Sequence, residues 1–101
     1  MTMISKSKIE NFLQKSIDWK YLENSIIKDF QFKSYMESIE FINILAKQAE
    51  LKNHHPDMSV GWCKINVAFT SHDKGGVTKQ CLEMAEFADL IYEKLKFTNT
   101  N

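Results

Sequence analysis

The chain has 101 residues, 44% of them hydrophobic and 26% charged, with 13 basic residues balancing 13 acidic ones. That length fits one domain spanning residues 1–101, and seven Phe, three Tyr and two Trp supply bulky core material, which argues against disorder. Zero net charge removes the positive field that draws proteins to nucleic acid, and no segment approaches the ~20 apolar residues of a membrane span.

The opening "MTMISKSKIE" lacks the apolar stretch of a signal peptide, and Cys63 and Cys81 form no CxxC pair. Both features predict a cytoplasmic protein with reduced thiols. Ser7 and Glu10 stand at capping-box spacing, and Ile9, Phe12 and Leu13 recur at helical intervals, which predicts a first helix over about residues 7–16. "DWKYLENSIIKDFQF" is aromatic and β-branched around Glu23, Asn24 and Ser25, the pattern of a β-hairpin. Ser34 and Glu37 repeat the capping signal ahead of Ile39, Ile42, Leu45, Ala46 and Ala49, an apolar helix face that ends before Pro56.

Asp57 to Val60 reads as a short strand. From Trp62 the chain alternates strictly, with Cys63, Ile65, Val67 and Phe69 on one side and Lys64, Asn66, Ala68 and Thr70 on the other. "SHDKGG" breaks that strand at a tight turn, and Thr78 caps a last helix whose stripe is Leu82, Ala85, Ala88, Tyr92 and Leu95, flanked by Met84, Phe87 and Ile91; "TNTN" is expected to fray. Phe41, Ile44, Phe87 and Ile91 serve either the core or an interface between copies. The order helix, hairpin, helix, strands, helix predicts an α+β fold, an antiparallel sheet with helices packed on one face.

The chain's three histidines stand in two loops: His54 and His55 before the lone proline, and His72 after the last strand. Imidazole both gives and takes a proton near neutrality, so a cluster of the three suits acid/base catalysis. Their meeting requires the second strand to be bent or neighbouring strands to mediate, and periodicity alone does not establish it. Glu50, one turn before the pair, is placed to orient a ring or bind a polar substrate, and Pro56 stiffens the loop. A metal site is disfavoured because no HxxxH, HExxH or CxxC spacing is present. A GxSxG elbow is absent, and "KGGVTK" falls short of a phosphate loop.

Glu50, three residues, His54-His55-Pro56, then the aromatic Trp62, nine residues and His72 form a pattern that resembles the pterin-4a-carbinolamine dehydratases. The resemblance covers most of the chain and accounts for all three histidines. It implies four antiparallel strands with three helices on one face, assembled as a dimer or a dimer of dimers. The implied reaction is loss of water from 4a-hydroxytetrahydropterin to give quinonoid dihydropterin, without metal or organic cofactor, in the recycling of a pterin used by a hydroxylase. His54 and His72 are then the acid/base pair and His55 positions the pterin. Glu50, Asn53, Pro56, Thr70 and Ser71 are the implied substrate contacts. One departure stands out: Cys81 occupies the place where the family usually has an aspartate, at the third position of the last helix. The loss of that acid should cost about 0.5–1 kcal/mol of helix stability. Some relatives of this family also serve as dimerisation cofactors of a transcription factor, so a protein-binding or pterin-carrying module is the alternative function.

Overall fold

The computed structural model describes residues 4–16 and 18–99; Met1 to Met3, Ile17, Thr100 and Asn101 lie outside the described residues. Its elements follow in the order α1 (Lys6–Lys15), β1 (Lys20–Leu22), β2 (Ser25–Gln31), α2 (Tyr35–Lys52), β3 (Asp57–Val60), β4 (Lys64–Phe69) and α3 (Lys79–Asn99). The four strands form one antiparallel sheet in the order β1-β2-β4-β3, as the α+β reading predicts.

Local chemistry explains most boundaries. The β1–β2 hairpin closes through Glu23 and Asn24, both at positive φ (50° and 67°), the left-handed pair whose twist matches the flanking strands. Ser25 is already the first residue of β2. α2 begins where Ser34 accepts the Glu37 backbone N–H at 3.1 Å. It ends where Asn53 turns left-handed (φ 50°, ψ 45°) and the His54 N–H reaches back to the Ala49 carbonyl at 3.0 Å, a Schellman closure.

Some expectations need correction. α1 is capped by Ser5, whose side chain accepts from the Lys8 N–H, and Ser7 lies inside the helix, so the Ser7–Glu10 capping box does not form. Ser5 and Ser7 offer the same cap chemistry two residues apart, and spacing alone did not separate them. Cys63 and Thr70 lie just beyond the two ends of β4. α3 continues through Thr98 and Asn99, part of the tail expected to fray. Its buried stripe is Cys81, Met84, Ala85, Ala88, Ile91 and Leu95, while Leu82 and Tyr92 are half-buried. The stripe is therefore rotated by about one residue from the expected one, which carries Cys81 inward.

The helices cover one face of the sheet. Ile26 and Phe30 of β2 and Ile65, Val67 and Phe69 of β4 point into that layer against Phe41, Leu45 and Ala49 of α2 and the α3 stripe. Phe41 and Ile91 are core residues, and Ile44 and Phe87 pack partly buried against it. The outer sheet face carries Lys20, Asp29, Gln31, Lys64 and Ser59, all exposed. One charged side chain breaks the inward row. Lys28, between Ile26 and Phe30, is buried and pairs with Asp89 of α3 at 2.7 Å, while Trp19 Nε1 donates to the other Asp89 oxygen at 2.9 Å. Among the described residues, no helix is long and apolar enough to cross a membrane.

Candidate active site

The two histidine loops meet because β3 and β4 are a hairpin. Asp57, the first residue of β3, is paired with Ala68 near the end of β4. The loop that precedes β3 and the loop that follows β4 therefore leave from the same end of the sheet, with no bend or intermediary strand. Trp62 lies in the turn at the other end of this hairpin, roughly 13 Å of strand away, and is 80% exposed.

The Schellman closure at Asn53 directs His54 inward. The residue is 8% exposed, and its ring stacks on Phe69, with centroids 6.3 Å apart and planes 10° from parallel. His54 Nε2 lies 3.2 Å from Cys81 Sγ. Nδ1 has no hydrogen-bond partner among the described residues, yet no side-chain N or O atom there is both fully buried and unpartnered. Nδ1 is thus the nitrogen with an outlet towards solvent. Burial pushes the His54 imidazole below its ordinary pKa of 6.5; charge on His55 pushes the same way, Asp73 opposes, and His72 adds a smaller push downward. These influences reach His54 from both loops, as expected where they converge.

His55 faces outward and hydrogen-bonds Glu50 through Nε2; the two side chains are 54% and 78% exposed. Glu50, one turn back on α2, thus orients a ring. His72 projects from the second loop with its Nε2 3.6 Å from Asp57 Oδ2, and both are largely exposed. Pro56, half-buried, separates the histidine pair from β3.

The loop after β4 is closed on itself. The Ser71 N–H donates to the Gly76 carbonyl at 2.9 Å, and the Ser71 carbonyl accepts from Lys74, Gly75 and Gly76. Gly75 stands at φ 71°, in the left-handed region that this tight turn requires. The backbone groups of Ser71 are therefore spent within the loop, and the Thr70 hydroxyl is committed to the Asn24 carbonyl at 2.7 Å. Ser71 Oγ points inward to Thr78 Oγ1, at 2.8 Å. Thr78 precedes α3, and its backbone N–H donates to Cys81 Sγ at 3.5 Å, so the thiol takes the capping-box place of a third-position acid.

The buried Ser71–Thr78–Cys81 group behind His54 was not foreseen from the sequence, although Thr78 and Cys81 stand three apart at a helix start. Asp57 and Asp73, the acids flanking the histidines, had no signal beyond adjacency. Among the described residues, no group of three or more His, Cys, Asp or Glu is gathered in a way that could hold a metal ion. Taken together, the rim offers one buried imidazole with a single open nitrogen, one imidazole oriented by the Glu50 carboxylate, and one exposed imidazole beside the Asp57 carboxylate. That set can supply and receive protons on a small molecule lodged between the loops.

Comparison with known proteins points to one family and one fold. Residues 2–91 match the family model described as pterin 4 alpha carbinolamine dehydratase. A Picosynechococcus protein provisionally named pterin-4-alpha-carbinolamine dehydratase is 34% identical over 90 residues, 89% of this chain and 98% of its own length. A Thermosynechococcus vestitus protein of the same provisional name is 36% identical over 83 residues, 82% of this chain and 87% of its own. In solved structures, the fold is similar to a transcriptional coactivator/pterin dehydratase from Brucella melitensis, with TM-score 0.87 and 24% identity over 90% of this chain and 99% of that one. It is also similar to a pterin dehydratase-like protein identified as a RuBisCO assembly factor of the alpha-carboxysome, with TM-score 0.61 and 21% identity over 73% and 86% of the two chains.

Proposed function

The chain belongs to the pterin-4-alpha-carbinolamine dehydratase family, and we propose that it catalyses the family reaction, elimination of water from 4a-hydroxytetrahydropterin to give quinonoid dihydropterin. The observation that carries this reading is the convergence of all three histidines on one rim, with His54 backed by Cys81 and His55 by Glu50.

The elimination needs an acid that protonates the departing 4a-hydroxyl and a base that receives the N5 proton, with the ring held between them. His54 and His72, on opposite loops, are the acid/base pair. His55, oriented by Glu50, positions the pterin. No step calls on a metal or organic cofactor. The setting is recycling of a pterin after a hydroxylase has used it, and the two unpaired thiols, Cys63 and Cys81, fit a reducing cytoplasm.

The test is the rate of dehydration of synthetic 4a-hydroxytetrahydropterin, followed by absorbance, with wild-type protein, with a His72→Ala variant and with buffer alone. A large acceleration that the variant loses supports the reading; a wild-type rate equal to buffer sinks it.

One feature favours a second reading, a protein-binding module. The outer surface of α2 exposes Met36 and Leu51 at 71% and 80%, and a crevice of about 740 Å³ along it, away from the histidines, mixes the apolar Met36, Ile39 and Ile44 with charged residues that include Lys33, Glu40 and Lys47. Assembly as a homodimer or homotetramer would use such a face. Light scattering that returns a monomer, beside an active enzyme, counts against it.

A further inference from the structure

Cys81 is fully buried at the first turn of α3, and four groups surround its sulfur. His54 Nε2 is at 3.2 Å, the Thr78 backbone N–H donates to it at 3.5 Å, Thr78 Oγ1 is at 3.6 Å and Ser71 Oγ at 3.7 Å. The thiol has one proton to give. Of its possible acceptors, the imidazole nitrogen is the most basic and the nearest. With the S–H on Nε2, every other group finds a role: Thr78 N–H donates to sulfur, one hydroxyl of the Ser71–Thr78 pair donates to the other, and the second donates to sulfur. The opposite arrangement, Nε2–H donating to sulfur, diverts the thiol proton to a hydroxyl, a weaker acceptor at longer range, and puts two N–H donors on one weak acceptor.

We propose that Cys81 is a positioning residue that holds His54 as its Nδ1–H tautomer, so that the proton faces the pterin site and the lone pair faces the protein. The consequence for turnover rests on the dehydratase reading. His54 gives the Nδ1 proton to the departing 4a-hydroxyl: the Nδ1–H bond breaks and an O–H bond of water forms. The thiol proton moves to Nε2, breaking S–H and forming Nε2–H, and the electron pair stays on sulfur as thiolate. That thiolate lies at the positive end of α3, facing the Thr78 N–H and two hydroxyls. The N5 proton taken by the base balances the one delivered. The groups that face His54 during this exchange are Cys81 and Thr78 from the start of α3, Phe69 from β4, Ser71, His72 and Asp73 from the following loop, and His55 beside it. Burial, which favours the neutral imidazole, is consistent with this starting state.

Nitrogen NMR of the histidine rings reads the tautomer without any substrate. The wild type should show His54 protonated at Nδ1. Cys81→Ser keeps a donor and should keep that tautomer, whereas Cys81→Asp can only accept once ionised and should move the proton to Nε2. Cys81→Ala should lower kcat roughly 10- to 100-fold at unchanged KM, with partial rescue in Cys81→Ser. In Cys81→Asp the carboxylate favours the imidazolium, so the acidic limb of the rate profile should move to higher pH. Circular dichroism identifies any variant that has failed to fold, and the wild-type spectrum stands regardless. A wild-type His54 protonated at Nε2, or a folded Cys81→Ala with wild-type tautomer and kcat, overturns the proposal. A wild type with the Nδ1–H tautomer and no turnover leaves the tautomer standing and sinks the dehydratase reading instead.

Discussion

Two polar clusters are built into the interior of this small fold, and they differ in kind. Around Asp89, a lysine, an acid and an indole satisfy one another: Lys28 Nζ and Trp19 Nε1 take one carboxylate oxygen each, and the lysine also lies over the Phe30 ring at 4.8 Å. Around Cys81, the groups include no permanent charge, and one member, His54, keeps a nitrogen open to the rim. The first cluster is closed, with its charges spent on each other. The second is neutral, satisfied on its inner side and unfinished on its outer side. Burial of charge demands full pairing, so the closed cluster serves stability. A neutral buried imidazole with one free nitrogen keeps its protonation state available for chemistry.

The contrast is broken most directly by exchanging the two effects. His54→Gln is expected to lower turnover of 4a-hydroxytetrahydropterin by roughly 10²- to 10⁴-fold while the protein stays folded. Steady-state rates beside thermal melts check this; near wild-type turnover would remove His54 from the acid/base pair. Asp89→Ala is expected to do the reverse. It strands the Lys28 ammonium and the Trp19 N–H in the core and should cost about 2–4 kcal/mol in urea unfolding, with kcat unchanged. A stable Asp89→Ala would mean that Lys28 reaches solvent in the variant, and the cluster would then be no more than a surface pair.

The pH dependence of stability sharpens the same contrast. Unfolded His54 takes up a proton near 6.5, whereas folded His54, with its pKa lowered chiefly by burial, holds off until lower pH. The unfolded state therefore binds more protons as pH falls through 6.5, and folding stability should fall with it until the folded group also titrates. Above 6.5 the effect is absent. Unfolding midpoints of wild type and His54→Gln between pH 8 and pH 5 (chosen for the roughly 6.5 midpoint) should diverge in slope. Parallel curves would show that the ring is not held neutral by the fold.

These two clusters also mark how far the sequence could be read. The strands, the hairpins and the cap at Ser34 follow from alternation and local chemistry, whereas the Thr78 hydroxyl, expected to cap α3, meets Ser71 and Cys81 instead; the three histidines announce themselves by type and by the Glu50-His54-His55-Pro56 pattern. The convergence of their loops was implicit in calling Asp57–Val60 and the following segment consecutive strands, because an antiparallel pair brings its outer ends together. The clusters themselves were not legible. Lys28 sits in an inward position that alternation would reserve for an apolar residue, and its partner is 61 positions away. Cys81 reads as a small core residue or as a missing acid until the rotation of α3 is known, and that rotation depends on packing against β4 and α2. Pairings across such separations are set by tertiary contacts that no local pattern encodes.

The smallest expected effect concerns Asn53, the point at which helix geometry is converted into site geometry. Its side chain is exposed, and its left-handed backbone is what lets the His54 N–H close on Ala49 and the His54 ring turn inward. Glycine reaches that conformation without strain, whereas alanine should lose about 1 kcal/mol. Because the strained cap carries His54, Asn53→Ala should also lower kcat modestly, so stability and turnover fall together, unlike at Asp89. Asn53→Gly separates a backbone role from a contact with the pterin. Unchanged KM and kcat in the glycine variant would assign Asn53 to the cap alone, and a raised KM with an unchanged melting temperature would return it to the substrate contacts.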